Sequence, residues 1–323
     1  MNSVMLFLGL IFVIILAGLM ATAYIIFYLL SDRRADISGI LKSEPGDRKS
    51  RIYRTRVLDR EWLLNREEGV RLHTIVSHDG LKLSGRLYMA DRVSDTVNDR
   101  YVLLVHGFHS NGIMEFSSIA RFYLEHGVNV LLIDNRASGE SEGRYITYTA
   151  REQTDVYAWT EQLIEYAKGA GHSPVISIHG MSMGAATALT LTDRLDTAYV
   201  RAIVSDCGYT STKGQIMYTL KHMQLPARLM YGLYRFMCRL KGLYDPDRCN
   251  PVEHLHDNRI PVVIIHGEED DVVPEHMAYE LKEACTGKGA RLILNSQAGH
   301  TESFYDSEEY KEAILEVLGV SPA

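Results

Sequence analysis

The chain has 323 residues, of which 46% are apolar and 23% charged, with ordinary glycine and proline content. These values exclude a disordered or fibrous chain and leave a globular protein with ample core, in one large domain or two small ones. A net charge of −7 and four scattered cysteines exclude a disulfide scaffold, suit a reducing compartment, and leave no nucleic-acid partner expected.

Residues 4–30 form an almost unbroken apolar run, about 40 Å long as a helix and enough to cross a bilayer with tilt. A cleaved signal peptide would want a basic start, a shorter core and a polar continuation. Here no Lys or Arg precedes the run, and the small-residue site 21–23 is followed by more apolar residues. The expectation is an uncleaved transmembrane anchor over 1–31. Residues 31–60 then hold nine Lys/Arg against five Asp/Glu, starting with Arg33 and Arg34. The positive-inside rule therefore predicts a single-pass protein of the cell membrane with a cytoplasmic body. Residues 32–60 read as a basic polar linker broken at Pro45-Gly46.

The body, 61–323, alternates. Strands are predicted at 71–77 and 81–89, around the hairpin signal Asp79-Gly80. A strand at 101–105, a helix at 113–126, a strand at 129–134 and a long helix at 149–168 follow. Next come a strand at 174–179, a helix at 185–191 and a strand at 200–205. After an interruption, 261–266 is a strand, 275–285 a helix, 291–295 a strand and 307–318 the last helix. Two antiparallel strands followed by β-α repeats predict a mostly parallel central sheet with helices on both faces, an α/β fold. In such sheets function gathers at the carboxyl ends of the strands.

Between the strand at 174–179 and the helix at 185–191 lies Gly180-Met181-Ser182-Met183-Gly184. A strand–turn–helix around Gly-x-Ser-x-Gly is a nucleophile elbow, in which a strained turn lifts the Ser182 hydroxyl above the sheet. Three other strand ends carry reactive groups: His106-Gly107-Phe108-His109, Gly267 to Pro274, and Ala298-Gly299-His300. A serine hydroxyl needs a base within reach, and the base needs a partner to hold its tautomer. His300, on a loop that Gly299 lets bend, is the candidate base.

This set resembles the α/β-hydrolase superfamily over roughly residues 70–320, with the chain order Ser, Asp, His of that family. It is similar to bacterial membrane-anchored members of the serine aminopeptidase and cinnamoyl esterase types. The resemblance puts the acid on Asp270, in register with Val273-Pro274, and leaves Asp206 as the alternative acid. It puts the two oxyanion donors on the backbone of Met183 and Phe108, and gives His106 and His109 structural roles. It identifies 134–143 as a supporting turn.

The excursion at 207–258 exceeds an ordinary loop and reads as a helical cap insertion. Pro226 starts its main helix and Gly242 ends it. Arg228, Arg235 and Arg239 fall on one side. Leu229, Met230, Leu233, Tyr234, Phe236, Met237 and Leu240 fill the other. Met217, Leu229, Met230, Leu233 and Met237 are candidate substrate-binding residues, with the basic side either solvated or leaning on anionic lipid.

The reaction expected is cleavage of a carboxylic ester or thioester, of small-molecule or lipid-like substrates, through an acyl-enzyme on Ser182. A peptidase of the aminopeptidase type and a non-catalytic binding module are the alternatives. No cofactor is expected. Cys249, His254 and His256 match no common zinc spacing, so no metal is expected either.

Overall fold

The computed structural model describes residues 2–36, 47–66, 70–90 and 99–320. Eight strands form one sheet: β1 (Val70–Val76), β2 (Lys82–Tyr88), β3 (Arg100–Val105), β4 (Asn129–Ile133), β5 (Val175–Met181), β6 (Val200–Asp206), β7 (Val262–Gly267) and β8 (Ala290–Asn295). Their order is β1-β2-β4-β3-β5-β6-β7-β8. β1 and β2 pair antiparallel, as does β2 with β4, and every later pair is parallel. The parallel order requires helical crossovers, which cover both faces and make the central strands apolar throughout.

Those crossovers include α3 (Gly112–Glu125), α4 (Glu152–Gly169), α5 (Met183–Leu189) and α8 (His276–Ala284), and α9 (Glu308–Glu316) follows the last strand. Alternation along β3 divides the core. Leu103 and Val105 pack with Val156, Trp159 and Leu163 of α4 on one face. Val102 and Leu104 pack with Phe116, Ile119 and Tyr123 of α3 and Tyr310 of α9 on the other. Each such side chain, fully buried, contributes about 1.5–3 kcal/mol. Helix starts are fixed by side chains that accept from free backbone N–H groups. Asn111 Oδ1 takes Met114 N at 2.9 Å, and Ser307 Oγ takes Tyr310 N at 3.1 Å.

Two N-terminal helices differ in their fit to the sequence reading. α1 (Asn2–Ser31) is apolar along its length. Its side chains are exposed from Ser3 through Ala21, but Ala23, Phe27 and Ser31 are buried in the body. Asp32 then bridges to Tyr145 and is held by Arg34 and Arg144, while Arg33 donates to the carbonyls of Gly139, Ser141 and Gly143. The stretch read as a linker is helical over α2 (Asp47–Leu64). The Pro45-Gly46 break lies outside the described residues. α2 has no apolar periodicity to reveal it. It is held by tertiary contacts instead: Ile52 and Leu63 are buried, and Arg48 and Arg51 pair with Glu302 and Asp306.

Between β6 and β7 stand α6 (Thr212–His222) and α7 (Ala227–Leu240), followed by short 3-10 turns. With the end of α1 they enclose a third apolar cluster at the carboxyl edge of the sheet, which includes Met183, Tyr209, Ile216, Tyr234 and Met237. All four cysteines are buried and free.

Candidate active site

The elbow is built from steric necessity. Ser182 has φ 53° and ψ −117°, a conformation most side chains avoid. It persists because β5 and α5 pack too closely for any other turn. A Cβ on Gly180 would collide with the carbonyl of Gly184, and one on Gly184 with the carbonyl of Val105. Ser182 N is tied to Asp206 O at 2.8 Å, so the turn is anchored to the neighbouring strand.

Three loops converge on the Ser182 hydroxyl. His300 Nε2 lies 3.0 Å from Ser182 Oγ, and His300 Nδ1 lies 2.8 Å from Asp270 Oδ2. A carboxylate only accepts, so Nδ1 carries the proton and Nε2 is left to accept from the serine. The other oxygen of Asp270, Oδ1, accepts from Val272 N at 2.8 Å and Val273 N at 2.9 Å. Burial works to raise the Asp270 pKa. The His300 charge and hydrogen bond, His266 and the backbone of Val273 outweigh it, and the carboxyl sits below its ordinary value. For His300, burial works to lower the pKa. Asp270 first, then Glu115 and Asp206, outweigh it, and the imidazole sits above 6.5.

Asp206, the alternative acid, is brought near but not into contact with the imidazole. Burial raises its pKa to about 7, and its Oδ2 accepts from Tyr310 at 2.9 Å. Tyr310 in turn meets His179 Nε2 at 3.1 Å, and Tyr123 meets His179 Nδ1 at 3.2 Å, which closes a buried polar chain under the site. Geometry thus favours Asp270 as the residue that orients His300.

The loop after β3 is also fixed. His106 Nδ1 donates to Gly107 O, and its Nε2 accepts from Asn135 N at 2.9 Å, so His106 pins two loops together. Asp134 accepts from Gly112 N and Glu140 N, and Arg136 is paired with Asp155 and Asp79, so the 134–143 turn is scaffold. Met183 is the first residue of α5, where a backbone N–H has no intrahelical acceptor. Phe108 is half-buried against the apolar cluster that holds Met183 and stacks on Tyr148.

One residue that the sequence did not single out joins this group. Glu115, in the first turn of α3, accepts from Gly107 N at 2.7 Å. A Cβ on Gly107 would lie 3.1 Å from Glu115 Oε1 and 3.2 Å from Ser182 Cβ, so the carboxylate stands beside the nucleophile. Its signal in the sequence was slight: a lone acid in a helix first turn reads as a response to the helix dipole.

The candidate substrate-binding residues divide. Met237 is buried, and Met217, Met230 and Leu233 are half-buried against the cluster that holds Met183. Leu229 is 52% exposed on the far side of α7 and lines nothing. The apolar side foreseen for α7 is therefore two faces. Of the three arginines on its basic side, Arg235 pairs with Asp245 and Asp247, and Arg239 with Asp245. These arginines are neutralised within the cap and not free for lipid. Cys207, Asp270 and His300 form a cluster of possible ligand atoms. Burial pushes the Cys207 thiol well above its ordinary pKa, and Asp270 and His300 are already bonded to each other.

The sheet order, the strained serine between two close-packed elements and the converging loops define an α/β hydrolase. The sequence profile of the Alpha/beta hydrolase family matches residues 102–314, and the chain belongs to that family. It is 27% identical over 227 residues to the uncharacterized protein YqkD of Bacillus subtilis, covering 69% of this chain and 72% of that one. It is 30% identical over 116 residues to the thiohydrolase aneE of Aspergillus aculeatus, about a third of each chain (34% and 33%). Among solved structures it is similar to the Pyrococcus furiosus esterase Pf2001, with a TM-score of 0.61 and 26% identity, over 77% of this chain and 90% of the esterase. Fold, family and neighbours together make this protein a hydrolase.

Proposed function

We propose that the protein is a serine hydrolase of carboxylic esters or thioesters, working through an acyl-enzyme on Ser182. The observation that carries this is the continuous chain from Ser182 Oγ to His300 at 3.0 Å and from His300 to Asp270 at 2.8 Å. His300 takes the serine proton as Oγ attacks the carbonyl, and Asp270 holds the tautomer and stabilises the imidazolium that forms. The N–H groups of Met183 and Phe108 receive the developing oxyanion. His300 then returns its proton to the leaving alcohol or thiol. In the second half it activates water against the acyl-enzyme. The names of the neighbours, an esterase and a thiohydrolase, support ester and thioester bonds alike.

A peptidase that held a free N-terminus would need spare carboxylates near the pocket. Asp245 and Asp247, two of the four acids in the cap, are engaged by Arg235, Arg239, Tyr231 and Lys213. That observation favours the ester reading. α1 serves in this account as a membrane anchor, with the body on the cytoplasmic side. Labelling of an engineered surface cysteine in intact cells tests the side, and labelling from outside would refute it.

The test of the activity is turnover of p-nitrophenyl acyl esters and acyl thioesters by the full chain. Ser182→Ala or His300→Ala should lower it by about 10⁴-fold or more. Near-wild-type turnover in either variant would overturn the mechanism.

A further inference from the structure

Helix α7 has three faces. At about 100° per residue, Ala227, Tyr231, Tyr234 and Cys238 fall together and are buried against the body. Arg235 and Arg239 lie to one side, closed by their carboxylates. Leu229, Phe236 and Leu240 project opposite the buried face, with Phe236 48% and Leu240 60% exposed. A cap helix that met only water would carry polar side chains there. Large apolar side chains are also exposed elsewhere on the body, Leu72 and Val76 on β1 and Tyr53, Leu58 and Leu64 on α2, so exposure alone does not mark out Leu229, Phe236 and Leu240. These three share one stripe about 16 Å long.

The neighbour of that stripe says what covers it. The last turns of α1 pack on α7: Ser31 Oγ lies 3.0 Å from Tyr234 Oη, and the Phe27 and Tyr234 rings are 6.4 Å apart. Lys241, next after Leu240, sits 5.8 Å from the Tyr24 ring and 5.3 Å from that of Phe27. The C-terminal end of the stripe thus lies level with Tyr24 of α1. The part of α1 free of the body, residues 4–20, spans about 25 Å, whereas bilayer hydrocarbon is about 30 Å thick. The shortfall brings the level of Tyr24, and with it the end of α7, to the bilayer boundary. Beside the stripe, Arg228 is exposed and makes no ion pair among the described residues, as suits contact with lipid phosphates.

We propose that the outward stripe of α7 seats in the lipid bilayer where α1 leaves the body, so that the cap and the site beneath it face the membrane. The proposal rests on α1 as an anchor and is independent of which bond is cleaved.

The full chain, carrying Leu229→Cys, Phe236→Cys or Leu240→Cys, is labelled with an environment-sensitive fluorophore and reconstituted in phosphatidylcholine–phosphatidylglycerol vesicles. Leu10→Cys reports the anchor itself. Lys288→Cys, exposed just before β8 at the opposite edge of the sheet, reports water. Doxyl-labelled lipid should quench labels at 10, 236 and 240 several-fold more than at 288, and aqueous iodide should rank them in reverse. Quenching by lipid at 10 but not at 236 and 240 would overturn the proposal while leaving the anchor. Failure at 10 as well would overturn both. Ester turnover of each labelled variant, measured alongside, shows that the hydrolase reading stands or falls separately.

Discussion

At the scale of residues, the account separates two acids that the sequence left as rivals. Asp270 touches His300 and Asp206 does not, so Asp270→Asn should cost about 10⁴-fold in kcat, as loss of the orienting acid does elsewhere, and Asp206→Asn far less. The reverse ranking, read from ester turnover, would move the acid to Asp206. The titration of His300 gives a second expectation. Asp270 on its own loop, Glu115 from α3 and Asp206 from β6 all stabilise the imidazolium, so its pKa lies above 6.5. Catalysis needs the neutral imidazole, so kcat/KM should be full at high pH and fall as pH drops through a midpoint above 6.5. Glu115→Gln keeps an acceptor for Gly107 N but removes the charge. It should move that midpoint down and leave the plateau close to wild type. Glu115→Ala also releases the Gly107-Phe108 backbone and should lower the plateau by about 10–100-fold. An unchanged pH profile in Glu115→Gln would show that its charge does not reach His300.

At the scale of elements, α2 links parts of the chain far apart in sequence. Arg56 donates to Thr301 O at 2.6 Å and to Tyr305 Oη at 2.8 Å, directly after His300. The stretch that reads as a linker therefore braces the loop of the candidate base. Arg56→Ala should lower kcat by about tenfold with little change in KM, since it loosens His300 and not the pocket. A rise in KM at constant kcat would place Arg56 in substrate binding instead. This helix also shows where sequence legibility ended. All eight strands were readable, β1 and β2 from the hairpin signal between them and the later ones as short, mainly apolar runs between turn signals, and the elbow was readable because two close packings demand glycine. His300 was singled out by its place at a strand end, and Asp270 by the resemblance to the family pattern. α2 was not readable, since it is held by tertiary contacts, the burial of Ile52 and Leu63 and ion pairs with Glu302 and Asp306, that no local pattern shows. Glu115 and the outward stripe of α7 were hidden for the same reason: which face meets the body depends on the body.

At the scale of the whole molecule, α1, the α6–α7 insertion and the candidate site share one edge. α1 ends against α7 and the 139–145 loop, at the carboxyl ends of the strands, where Ser182 also sits. Everything in this arrangement turns on Ser182 being the atom that forms the covalent intermediate. The most direct measurement is peptide mass mapping of the full chain after exposure to a fluorophosphonate. The account predicts one adduct, on the peptide that contains Ser182, absent from Ser182→Ala and strongly slowed in His300→Ala. An adduct on another residue, or undiminished ester turnover by a fully modified enzyme, would contradict it.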